Sequence, residues 1–166
     1  NMKNTIVRNL LYVMVIVEVG IIAGLGKMLR AELKEHIMLK ELSDKHLELL
    51  LLLNQWLKAK QDGKRLAGYF HKNGINSIAI YGMSHMGERL YAELCNSDLE
   101  IRYAVDKQAD KVCTGLQIFS PDENMPEVDA IVVTAIFYFD EIKAKLENGT
   151  KCRIISLEDI LYGLSD

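Results

Sequence analysis

The sequence predicts an α/β protein: one parallel sheet flanked by helices, preceded by a long N-terminal helical region. Three observations carry this. The run Ile78 to Tyr81 is apolar throughout, breaks at Gly82, and gives way to a helical pattern with Leu90, Tyr91 and Leu94 on one face. Further short apolar runs then alternate with helical stretches, as strands joined by right-handed crossover helices do. Residues 2–73 read as helix and open on the most apolar stretch of the chain.

The 166 residues allow one domain plus an appendage. Asn1 before Met2 reads as an expression scar and is set aside. A net charge of −3 gives no basic field for nucleic acid. The three cysteines, Cys95, Cys113 and Cys152, lie far apart with no C-x-x-C and no histidine pair nearby. That pattern argues against a zinc site or disulfide framework and for a reducing compartment.

Leu10 to Gly26 is interrupted only by Glu18. Its 17 residues would give a helix of roughly 26 Å, enough for a thin bilayer core. Lys3 and Arg8 precede it; Lys27, Arg30, Lys34 and Lys40 follow. By the positive-inside bias the rest of the chain is then cytoplasmic. Glu18 counts against the span by about 2.5–3.5 kcal/mol, which the surrounding Val, Ile and Leu offset. Gly20 and Gly24 form a small-xxx-small pair that lets two helices approach. Two other readings stand beside the anchor. One is a soluble oligomer helix, because Leu10, Met14, Val17, Ile21, Gly24, Met28 and Ala31 alternate four and three apart. The other is a signal peptide cut near Gly24 or Gly26. The apolar residues on the remaining faces favour the anchor.

Residues 27–42 read as a charged helical stalk. Ser43-Asp44 is a candidate N-cap for a second helix, which runs through Leu49–Leu53 and Trp56 to the turn dipeptide Asp62-Gly63. Five consecutive leucines predict burial on more than one side, against the sheet, a partner chain, or both. A short helix with Leu66, Tyr69 and Phe70 ends at Asn73-Gly74. Trp56 and Phe70 read as packing residues. The predicted divisions are thus 2–26, 27–73 and 74–166.

In the last division the first strand, 78–81, leads into a helix from Met86 to Cys95. A second strand, 101–105, ends at Asp106, and an edge strand, 116–119, closes at Ser120-Pro121. The fully apolar run 130–135 predicts a buried strand, followed by a helix over 140–146 and a stop at Asn148-Gly149. A last strand, 153–156, precedes a helix over 157–164. This makes one Rossmann-like half-unit.

The turn reads G-x-S-x-x-G. Gly82 permits the turn, and Gly87 lets the helix pack closely on the strand. The turn's N–H groups and the helix N-terminus are expected to face an anion. Asp106, 24 positions after Gly82, suits a carboxylate that holds ribose hydroxyls. Ser84 stands where a glycine would let backbone approach a pyrophosphate; it either gives its hydroxyl to a phosphate or caps the helix, and the cap is preferred. His85 is read as a phosphate or carboxylate contact, a proton-transfer group or, by preference, an exposed loop histidine. Thr134, Ala135 and Phe137 follow the fourth strand and line the same crevice. Cys95 and Cys113 read as inert. No nucleophile–base pair is evident, and Tyr138 and Lys143 have the wrong spacing for a Tyr-x-x-x-Lys pair.

Ile80-Tyr81-Gly82 through Gly87, Ile101 to Lys107, Ser120-Pro121, Asp129 to Thr134 and Asp140 to Ile142 together resemble a family of small Rossmann-like domains from bacterial surface-polysaccharide clusters. Similar modules form the N-terminal part of sugar acyltransferases and the C-terminal part of sugar C-methyltransferases. The resemblance implies that Gly82, Ser84, Gly87 and Asp106 border a crevice for a nucleotide, NAD(P) or a nucleotide sugar. This chain lacks left-handed β-helix repeats and a methyltransferase half. The expected function is therefore a membrane-anchored, homo-oligomeric sensor or scaffold rather than an autonomous enzyme. A dinucleotide-dependent reductase or epimerase and a ligand-free interaction module are the alternatives.

Overall fold

The structure, a computed structural model, describes residues 2–108 and 115–164; Cys113 lies outside them. The chain divides into two compact units, the first ending at Glu48 and the second beginning at Leu49.

Helix α1 spans Met2–Gln61. It passes through Ser43-Asp44, where the sequence reading starts a new helix. No glycine or proline occurs from Lys27 to Asp62, and a serine or aspartate inside a helix costs only about 0.7 kcal/mol or less. Among the described side chains of the first unit the large apolar residues, Leu10, Ile16 and Ile22 among them, are exposed. Mean hydropathy reaches 2.0 in an 18-residue window of α1, none of it buried. By length and composition this helix is able to cross a membrane.

The second unit is a five-stranded parallel sheet with helices on both faces. After α2 (Leu66–Lys72) come β1 (Ser77–Tyr81), α3 (His85–Leu94), β2 (Glu100–Val105), β3 (Ile118–Phe119) and β4 (Ala130–Val133). A 3-10 turn, Ile136–Tyr138, leads into α4 (Phe139–Leu146); β5 (Arg153–Ser156) and α5 (Leu157–Gly163) follow. The strand order is β3-β2-β1-β4-β5. Neighbours pair in parallel, with Tyr81 opposite Val105 on one side and Val133 on the other. The order therefore reverses between β1 and β4.

Alternate side chains of each strand enter two cores. Ile78, Ile80, Ala104, Ala130 and Val132 pack with Leu90 and Leu94 of α3, Ile160 and Leu161 of α5, Phe70 of α2, and Leu52 and Trp56 of α1. Ala79, Tyr81, Tyr103, Val105, Ile131 and Val133 pack with Ile142 and Leu146 of α4. Leu52 is buried, whereas Leu50, Leu51 and Leu53 are exposed, so the chain itself covers one side of the leucine run. Glu93 of α3 fastens α1: it accepts the Trp56 indole N–H at 2.7 Å and pairs with Lys60 at 3.1 Å. Tyr103 donates its hydroxyl to the Pro126 carbonyl at 2.8 Å, and burial pushes its phenol up to about 12. Where β1 and β4 begin, Asp129 accepts the N–H groups of Asn76 and Ser77 at 2.9 and 2.8 Å.

Candidate functional site

β1 ends at Tyr81 because the chain turns at Gly82, whose φ is +96°. That conformation favours glycine. A Cβ there would also lie 2.8 Å from Oγ1 of Thr134. Thr134, the first residue past β4, is buried and donates its hydroxyl to the Gly82 carbonyl at 2.5 Å. Its N–H donates to the Tyr81 carbonyl at 3.0 Å. Gly87, on the first turn of α3, lies so close to the turn that a Cβ would stand 2.1 Å from the Gly82 oxygen. Gly82, Gly87 and Thr134 thus shape the turn from three sides.

Asp106 follows β2, one residue beyond the Tyr81–Val105 pairing, which sets its carboxylate beside the turn. Oδ2 accepts the Met83 N–H at 2.7 Å and Oδ1 accepts the Gln108 N–H at 2.8 Å. The Gly82 N–H donates to the Val105 carbonyl at 2.8 Å. Two turn N–H groups expected to face an anion are therefore directed to the end of β2 and to the Asp106 carboxylate that follows it. Each oxygen of Asp106, expected to hold ribose hydroxyls, already accepts a charge-assisted bond from backbone.

Ser84 holds the N-cap position of α3, but its hydroxyl makes no capping hydrogen bond. Its carbonyl accepts the Glu88 N–H at 2.9 Å. The side chain is exposed and borders a cavity of about 540 Å³. His85 begins α3, is exposed and does not line that cavity.

The cavity opens where β1, β2 and β4 end. One wall comes from Tyr81, Gly82, Ser84 and Asp106 and the residues after it, Lys107 and Gln108. Ala135, Tyr138 and the α4 residues Glu141, Ile142 and Lys145 form the other. Lys145 donates to Glu141 at 2.7 Å, one helical turn apart. The Lys145 ammonium, with help from Lys107, holds the Glu141 carboxyl below its usual range, and Glu141 in turn raises Lys145. Burial raises the Tyr81 phenol; Lys145 opposes this, and Asp122, Asp106 and Glu141 add to it. Among the described residues no group of three or more His, Cys, Asp and Glu is arranged to hold a metal ion.

Of the residues singled out from the sequence, Gly82, Ser84, Asp106 and Ala135 meet at the cavity; Gly87 and the buried Thr134 pack against the Gly82 turn without lining it, and His85 and Phe137 stand apart. Lys107, Tyr81 and Lys145 were missed. Lys145 carries a local signal, since four residues after Glu141 puts it on the same helix face.

Residues 74–155 match a family described as C2185-like, N-terminal. That span runs from the Gly74 turn into β5 and holds every residue lining the cavity. No curated protein and no solved structure matches the chain.

Proposed function

We propose that this chain is a membrane-tethered binding module whose α/β unit takes a nucleotide or nucleotide sugar in the cavity above Gly82 and Asp106. The observation that carries this reading is the cavity's place in the sheet. It lies at the carboxyl ends of parallel strands where the strand order reverses, which is where open α/β sheets take their ligands. A volume of about 540 Å³ suits a ligand of that size.

The apolar stretch of α1 supports a single membrane span, and the basic residues Lys27, Arg30, Lys34 and Lys40 support a cytoplasmic α/β unit. Exposed leucines on α1 support association with further copies. The resemblance to polysaccharide-cluster domains supports a role in sensing or presenting a glycan precursor at the membrane.

Calorimetric titration of the full chain in detergent tests the ligand, with NAD(H), NADP(H), sugar nucleotides and coenzyme A as probes. Micromolar binding of a nucleotide is expected; no heat from any of them at millimolar concentration refutes the reading. Alkaline carbonate washing of membranes tests the anchor: the chain stays in the pellet, and release into the wash removes the span.

A further inference from the structure

We infer that the end of α1 pairs with the same segment of a second copy, parallel and in register, along the seam Leu50, Asn54, Leu57 and Gln61. This rests on the membrane tether proposed above and names the face, the partner and the register of the association.

Within the second unit α1 carries apolar residues on two faces. The inner face turns to the α/β unit: Leu52, Trp56 and Ala59 are buried, and Leu49 packs against the same core. A helix advances about 100° per residue, so Asn54 lies on the side opposite both Leu52 and Trp56. Around it Leu50, Leu51, Leu53 and Leu57 are 61, 53, 43 and 56% exposed.

This outer face has the pattern of a coiled-coil seam. Leu50, Asn54, Leu57 and Gln61 follow at spacings of four, three and four, with leucine at both d positions and Asn54 at the a position between them. An asparagine at such a position fixes orientation and register, because its amide meets its own counterpart only in a parallel pair without offset. Any shifted pairing leaves that amide against leucine. Leu51 and Leu53 widen the strip at the flanking e and g positions. In the proposed register Leu53 meets Lys58 of the second copy, whose methylene stem covers it, so that Lys58 faces an apolar side chain and not a like charge.

Area and geometry fit a second copy. Two such strips, with the stems of Asn54, Lys58 and Gln61, bury on the order of 1,000 Å², the low end for a specific interface. Chains tethered to one membrane point the same way and meet at an effective concentration of order millimolar, at which so small an area suffices. The seam faces away from the chain's own α/β unit, so the two units stand outside the pair and do not compete for it.

Oxidative cross-linking of the full chain in membranes tests this, in a background where Cys95, Cys113 and Cys152 are replaced by serine. Leu50→Cys, Asn54→Cys and Leu57→Cys are each expected to form a linked dimer, roughly tenfold more than Gln55→Cys, which lies off the seam. Adding Leu50→Glu and Leu57→Glu is expected to abolish the link at Asn54→Cys while Trp56 emission stays unchanged. Should the glutamates shift that emission, Leu50→Ala with Leu57→Ala gives the same comparison. A link at Asn54→Cys without links at the two leucine positions means an antiparallel pair and overturns the register. Equal linking at Gln55→Cys overturns the seam, as does its persistence in the glutamate and alanine variants. No link at any seam position, in chains that the carbonate wash leaves in the pellet, also overturns the seam and leaves the tether standing. Release of the chain into the wash removes the tether and this inference with it.

Discussion

The Gly82 carbonyl oxygen occupies the space that a side chain at Gly87 would need: a Cβ would stand 2.1 Å from it. Both partners are backbone, so neither yields by rotating. Gly87→Ala is therefore expected to destabilise the α/β unit by about 3 kcal/mol, seen as a lower thermal midpoint. Gly68→Ala on α2 is the control. Nothing lies within 4 Å of a Cβ there, and in a helix that change stabilises by roughly 0.5–1 kcal/mol. Equal midpoints for the two variants would contradict the packing described.

The hydroxyl of Thr134 ties the end of β4 to the Gly82 carbonyl. Thr134→Val keeps the shape and removes the donor, leaving the turn short of a partner. A cost of about 1–2 kcal/mol is expected, with Thr134→Ser recovering most of it. Chemical denaturation of both variants checks the order; a valine variant as stable as the serine variant would remove this role.

Glu93, 12% exposed, holds the end of α1 through Trp56 and Lys60. Glu93→Ala leaves the indole N–H without its acceptor and is expected to cost about 2–3 kcal/mol; Glu93→Gln costs less, because the amide oxygen still accepts. Trp56 is the single tryptophan, so its emission reports the contact directly. A red shift is expected in the alanine variant, and unchanged emission would show that α1 is held by other contacts.

The N–H groups of Asn76 and Ser77 hold the Asp129 carboxyl below its usual range. A depressed folded-state value means that the contribution is complete above the unfolded value, near 3.9, and fades as pH falls through the folded one. The gap in thermal midpoint between the native chain and Asp129→Asn is expected to be widest near neutral pH and to close below about pH 4. A gap that stays constant from neutral pH down to about pH 3 would be the contrary result.

Strands covered on both faces must be apolar at every position, so the runs at β1 and β4 could be read directly from composition. β5 also begins and ends where its sequence pattern places it. The strand at 130–135 stops two residues early because its neighbour β1 ends at Tyr81, opposite Val133, where the chain turns at Gly82. Gly82 and Gly87 were legible because a tight turn and a close helix leave few other choices. The preference for a Ser84 cap failed because a residue type suited to a cap need not make the bond. Ser43-Asp44 misled for a related reason: helix continuity depends on breakers. Tyr81 and Lys145 share a cavity only through tertiary packing, and no spacing within the chain announces such a pair.

The sheet's outer boundaries carry one more implication. β3 joins the ladder for only two residues, and β5, at the other boundary, begins with the exposed cation Arg153. One side is too short to template an incoming strand and the other is guarded by charge. Copies of this protein crowded on a surface would thus stay clear of fibrous stacking, and whatever contact they make would fall to their helices.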